Sequence, residues 1–288
     1  MSAKSSQYFL LMGLPNTGKT SFLAALWYLV QHPQVVCKFR LEKLEGDNKY
    51  LNQISQAWVE YTPVPHTRID SETLVSMLLK NETTGQKLTL FFPDLSGESF
   101  RLQWTARQFT KGYDKLLQQA SGAMLFVNPA GVIKPIRIDM ADPLIDEMAV
   151  EHEKPAQVIS PAPNPWDADR SPTQVQLVEL LQILSSRDYF EPPFRLAIIV
   201  SAWDVLARLE HSPQDWLREQ LPLLHQFLQS NSHIFDSTVF GISAQGVDYS
   251  AAQNITFQRG KPAERIQVVG TSVINLHDLT EPLQWLML

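Results

Sequence analysis

A strand, a tight loop and a helix follow one another without pause over residues 8–31, and few folds accept that order with this loop. The apolar run Tyr8 to Met12 leads into GLPNTGKTSF, where Gly13, Gly18, Lys19 and Thr20 meet the spacing G-x-x-x-x-G-K-[ST]. Without a Cβ, Gly13 and Gly18 accept positive φ, so backbone N–H groups can curl inward as an anion nest. The positive end of the following helix adds to that field. Lys19 is expected to reach the β and γ phosphates, and the Thr20 hydroxyl to ligate Mg²⁺. Asn16, Thr17 and Ser21 are the other expected phosphate-loop contacts. The pattern names a ligand class, a nucleoside triphosphate, and no single reaction.

Beyond the loop, apolar patterns alternate between the two periods. Phe22, Leu23, Leu26, Trp27 and Val30 share one face of a helix over Lys19 to Gln31, ended by Pro33. A more polar helix is expected near Asp47 to Glu60, followed by the proline-bearing loop EYTPVPHTRID. SETLVSMLLK and KLTLFFPD read as two strands joined by NETTGQ, a hairpin turn. Further strands are GAMLFVN, FRLAIIVSA and STVFGIS, with helical patterns near 101–120, 173–187 and 213–230. Such alternation implies an α/β fold, a mostly parallel sheet with helices on both faces.

Two stretches depart from it. Residues 129–172 hold eight prolines (129, 135, 143, 155, 161, 163, 165 and 172) and many acids, and read as an insertion that is partly disordered or folds over the nucleotide face. Residues 247–288 read as a C-terminal elaboration, with YSAAQNITFQRGKPAERIQVVG as an added strand pair and LTEPLQWLML as a closing helix. At 288 residues, 44% hydrophobic and 19% charged, the chain has ample apolar mass for one large core, 1–288, carrying both additions. A net charge of −6 offers no global basic field for nucleic acid or anionic membrane. Cys37 is alone, which precludes an intrachain disulfide, and no apolar run reaches membrane-spanning length, so a soluble cytoplasmic protein is expected.

The strand LTLFF ends in Asp94-Leu95-Ser96-Gly97-Glu98, a D-x-x-G at a strand end. An acid there can hold Mg²⁺ through water, and a glycine N–H facing the γ-phosphate lets the loop respond to nucleotide state. With the phosphate loop, this resembles the translation-factor-related class of P-loop GTPases, whose fold is a Ras-like G domain. The resemblance covers about Tyr8 to Gly246 and implies GTP/GDP and Mg²⁺ as ligands. Where the class carries [NT]-K-x-D for guanine, RLAIIV here ends in Ser201-Ala202-Trp203-Asp204, which keeps the aspartate and lacks the lysine. Asp204 would accept from guanine N1 and the exocyclic N2, an arrangement adenine cannot satisfy. Ser243-Ala244-Gln245 resembles the S-A-x loop whose backbone N–H meets the guanine oxygen.

The resemblance further implies a threonine before the second strand that senses Mg²⁺ and γ-phosphate; Thr67 fits best, with Thr62 as alternative. Glu98 occupies the position of a water-orienting glutamine, and its extra negative charge implies slow intrinsic hydrolysis. Arg68, Arg101 and Arg107 are candidates to offset that charge. DLSGE, the long elaboration and the tail HDLTEPLQWLM resemble the bacterial double-GTPase-type families of multi-component conflict systems, implying a switch that works with an unidentified protein partner. Homodimerisation across the nucleotide face, a nucleotide-occupied module with little hydrolysis, and an ATP-using P-loop enzyme stay open. The histidines show no metal-ligand spacing, the acids Asp139, Asp142, Asp146 and Glu147 read as a solvated face, and Trp166 is a candidate partner anchor. The remaining tryptophans, Trp58 and Trp203 among them, read as core or interface anchors.

Overall fold

The computed structural model describes residues 7–32, 34–46, 48–63, 75–93, 98–135, 167–186, 190–206, 211–246, 261–271, 273 and 276–288. Thr67, Arg68, Asp94, Gly97, the Glu98 side chain, the four insertion acids, Trp166 and all of 247–260 lie outside them.

Eight strands form one sheet in the order β2-β3-β4-β1-β5-β6-β7-β8. They are β1 Gln7–Met12, β2 Phe39–Glu45, β3 Val75–Asn81, β4 Lys87–Phe92, β5 Gly122–Val127, β6 Phe194–Ser201, β7 Phe235–Ser243 and β8 Gln267–Val269. The β4-β1-β5-β6-β7 centre is parallel, and its strands are apolar runs because helices cover both faces. β3 and β4 form the expected antiparallel hairpin, closed by Gly85, whose N–H donates to the Asn81 carbonyl at 2.9 Å. The expected fold class holds.

One face carries α1 Lys19–Gln31 and α2 Asn48–Val59. The other carries α3 Glu98–Ala106, α4 Lys111–Gln119, α5 Thr173–Ser185, α6 Pro213–Gln220 and α7 Pro222–Ser230. Two long helices of the sequence reading are each a pair. The first breaks because Arg107 adopts φ 53 and Thr110 then caps α4, its side chain accepting from Tyr113 N. The second breaks at Leu221 (φ −131, ψ 57), because Pro222 has no N–H to continue the ladder and instead opens α7. In α6, Ser212 is the N-cap and Pro213 the first residue.

Strand β2 was absent from the sequence reading. Its FRLEKLE pattern is diluted by charge and interrupted by a bulge between Leu41 and Lys43, features suited to a sheet edge. Of the expected C-terminal strand pair, the described residues contain β8, which pairs antiparallel with β7 rather than with a new partner. The closing helix is present as α8, Glu281–Leu286.

Helix α1 departs from its one-sided expectation, since Phe22 through Val30 are all buried. Helix α2 and the turn at Pro262–Arg265 pack on it, and the C-terminal residues Ala263, Ile266, Leu279, Leu283 and Leu286 belong to the same apolar cluster. The additions to the sheet therefore enclose the helix that follows the phosphate loop. Cys37 N-terminal to β2 lies beside this closure: Lys38 N donates to Asp278 Oδ2 at 2.9 Å and Lys38 Nζ to Glu281 Oε2 at 2.7 Å. Among the described residues, no helix is long and apolar enough to cross a membrane.

Candidate functional site

The chain order reverses at β1, whose neighbours are β4 on one side and β5 on the other, and ligands of open α/β sheets bind at the carboxyl ends of strands beside such a reversal. Register brings the relevant loops to that one end: Met12 pairs with Leu125, Val127 with Val200, and Ser201 with Ile242. The loops after β1, β5, β6 and β7 thus leave the sheet together.

The loop from Gly13 to Gly18 has the form its glycines permit. Gly13 has φ +150, and a Cβ there would lie 2.8 Å from the Phe126 carbonyl and 2.9 Å from Thr17 Oγ1. Gly18, at φ +88, is the N-cap of α1 and offers no side chain to the helix N–H groups, leaving that end to an external acceptor. Asn16 joins them at φ 59 and is exposed, while Thr17 is buried and donates to the Leu14 carbonyl at 2.8 Å.

Lys19 is only 2% exposed. Its Nζ donates to the carbonyls of Gly13 at 2.7 Å and Leu14 at 2.8 Å, and lies 3.5 Å from Thr17 Oγ1. A buried ammonium held on two carbonyls of the loop it must serve is fixed in position. Thr20 and Ser21 follow in the first turn of α1, both half-buried. Asn128, directly after β5, donates from Nδ2 to the Asn16 carbonyl at 3.0 Å and accepts from Ala130 N at 3.1 Å, bracing the loop from the side. A cleft of about 200 Å³ lies there, lined by Leu14, Asn16, Phe126, Asn128 and Thr173 among others. Asn128 was not singled out from the sequence, although a polar residue between an apolar strand and Pro129 was the available signal.

The second group of expected residues stands against the first. A Cβ on Gly18 would meet the Ser201 Cβ at 3.0 Å, and Ser201 Oγ donates to the Val127 carbonyl at 3.2 Å. Ala202 is left-handed (φ 48, ψ 42), turning the chain into the short helical turn Trp203–Val205 that carries Asp204. Asp204 is half-buried, and Trp203 is buried with its ring against β7 at Gly241. At the end of β7, the buried Ser243 accepts from Gly246 N at 2.9 Å, closing a turn around Ala244. Phosphate loop, Asp204 segment and Ala244 turn are thereby adjacent. Thr62 is exposed, its hydroxyl donating to the Ala57 carbonyl at 3.2 Å, so it serves the end of α2.

The fit to a nucleotide rests on the nest itself: two glycines where a Cβ would collide, an uncapped helix start and a buried lysine together suit a polyanion. Among the described residues, no group of three His, Cys, Asp or Glu could hold a metal ion.

No curated protein matches the chain. Among solved structures, the Ski7 GTPase-like domain of S. cerevisiae, bound to GTP, is 12% identical at a TM-score of 0.39, over 84% of this chain and 43% of that one. The signal recognition particle receptor SRb-GTP/SRX complex of Chaetomium thermophilum is 13% identical at a TM-score of 0.38, over 87% of this chain and 96% of that one. The sequence model of the family described as Double-GTPase 1 matches residues 10–286, spanning the loop, the sheet and the C-terminal shell alike. With a P-loop folded for a polyanion and that match over nearly its whole length, the chain belongs to the Double-GTPase 1 family.

Proposed function

We propose that this protein is a Mg²⁺-dependent, GTP-binding molecular switch that hydrolyses GTP slowly by itself and regulates a protein partner in a bacterial multi-component system. The observation that carries the reading is the adjacency of the Lys19-anchored loop to the Ser201–Asp204 segment and the Ala244 turn, the placement expected for phosphates and guanine of one nucleotide. Lys19 and the loop N–H groups would hold phosphates, Thr20 with Asp94 and Thr67 would organise Mg²⁺, and Asp204 with the Ala244 N–H would read the base. Bound Mg²⁺ would neutralise charge on the β and γ oxygens. Gly97 and Thr67 would sense the γ-phosphate, and their loops would relax after hydrolysis, changing the surface a partner meets.

Glu98 in place of glutamine, together with Ala202 in place of lysine, favours a second reading, a nucleotide-occupied module with little turnover. Both readings are separated from an ATP-using enzyme by titration with fluorescent GTP and ATP analogues, with and without Mg²⁺, followed by phosphate release. GTP preference is expected, and ATP preference would reject the base assignment. Asp204→Asn should transfer preference toward xanthosine triphosphate, because an amide donates where the carboxylate accepted. Unaltered base selectivity in that variant would remove Asp204 from the site.

A further inference from the structure

The turn assigned to the base is held from behind by residues far from it in sequence. Trp58, fully buried near the end of α2, donates from Nε1 to the Ala244 carbonyl at 2.8 Å. Arg265, itself 7% exposed, comes from the C-terminal elaboration and lies over two rings, with Cζ 4.3 Å from the centre of Trp58 and 3.9 Å from that of Tyr61. Its Nη2 donates to the Trp58 carbonyl at 3.0 Å and its Nε to the Pro262 carbonyl at 3.1 Å. A guanidinium at the C-terminal end of α2 meets the negative end of the helix dipole and the orphan carbonyls there. Stacking between two rings adds to this and fixes the plane of the group.

Consequently one cluster does two jobs. The Trp58 N–H fixes the Ala244 carbonyl, and with the Ser243–Gly246 bond it holds the turn whose N–H would face guanine. The same residue, clamped by Arg265, lies one position before Val59, the end of α2, and Tyr61, two residues beyond that end, is left-handed at φ 56.

We propose that Trp58 and Arg265 are positioning residues that set recognition of the base oxygen and couple the Ala244 turn to the end of α2. The proposal rests on the guanine assignment made above. Base binding would order the turn, and through the Trp58–Arg265 clamp it would order residues 57–63. Both would act through the turn and the helix end they hold, Trp58 on the Ala244 carbonyl and Arg265 on the Trp58 carbonyl.

Trp58→Phe keeps an aromatic ring under Arg265 and removes the indole N–H together with the five-membered ring, a packing loss that acts on every ligand alike and cancels in the ratio between two of them. Affinities of wild type and variant are compared for GTP, 6-thio-GTP and xanthosine triphosphate. 6-Thio-GTP weakens the acceptor at position 6, whereas xanthosine triphosphate probes the edge read by Asp204. The expected result is a roughly tenfold loss of GTP affinity with a collapse of the GTP to 6-thio-GTP ratio toward one, while discrimination against xanthosine triphosphate persists. A ratio equal to that of wild type overturns the proposal alone. A wild-type protein with no preference for GTP over ATP overturns the guanine assignment and this proposal with it. Because Trp58→Phe could perturb folding, hydrogen exchange on the wild-type protein supplies an independent test. Added GTP should slow exchange in 243–246 and in 57–63 together; protection confined to 243–246 would overturn the coupling.

Discussion

Lys19 and Cys37 are two buried polar groups with different surroundings. Two loop carbonyls receive the Lys19 ammonium, whereas burial pushes the Cys37 thiol up to about 12, helped by the Asp278 carboxylate beside it. A thiol that far from ionisation presents almost no thiolate near neutrality, so Cys37 should be inert to thiol reagents in the native protein and react promptly once urea unfolds it. Rapid labelling of native protein at pH 8 would contradict the burial described. The sequence made the phosphate-loop residues legible one by one because their spacing is a local property of the backbone they build. The roles of Trp58 and Arg265 carried no such local signal, and Asn128 had only its place between an apolar strand and Pro129. Their roles arise from pairings 186, 207 and 112 residues apart, which no periodicity encodes.

Elements set how closely the expected guanine segment can approach the sheet. The turn Trp203–Val205 lies against β7 because residue 241 is glycine: a Cβ there would sit 2.3 Å from Trp203 Cδ2. Gly241→Ala should therefore push Trp203, and with it Asp204, away from the strand, costing about 1–3 kcal/mol in denaturant unfolding. An unaltered unfolding midpoint would mean that the ring has another resting place. The same scale explains where element reading from sequence succeeded. β1, β5, β6 and β7 are apolar on both faces and were evident, while β2 was hidden because an edge strand needs only one apolar side and tolerates Glu42, Lys43 and Glu45. Helix α1 was read as one-sided since its strongest apolar positions share a face, although Ala24, Ala25, Tyr28 and Leu29 are buried too, under a cover supplied from elsewhere in the chain.

Across the whole molecule, the C-terminal residues fasten to the start of β2. Asp278 is fully buried and accepts from Lys38 N, Thr280 N and Thr280 Oγ1, while Glu281 pairs with Lys38 Nζ. Desolvation by burial raises the Asp278 carboxyl above its ordinary range, against those hydrogen bonds. A carboxyl raised in the folded state binds more protons there than in the unfolded chain, so its contribution favours the fold at low pH and fades as pH rises through the raised value. The difference in thermal midpoint between wild type and Asp278→Asn should accordingly shift in favour of the variant as pH climbs from the acid range to neutrality; a pH-independent difference would show that the carboxyl titrates normally. This fastening also bears on how the protein is made. Lys38 and Asp278 are 240 residues apart, and Ala263, Ile266, Leu283 and Leu286 share the apolar cluster of α1. During synthesis α1 leaves the ribosome before these later members of its apolar cluster, and non-local closure of this kind is slow. The helix that follows the phosphate loop is thus completed by residues translated well after it.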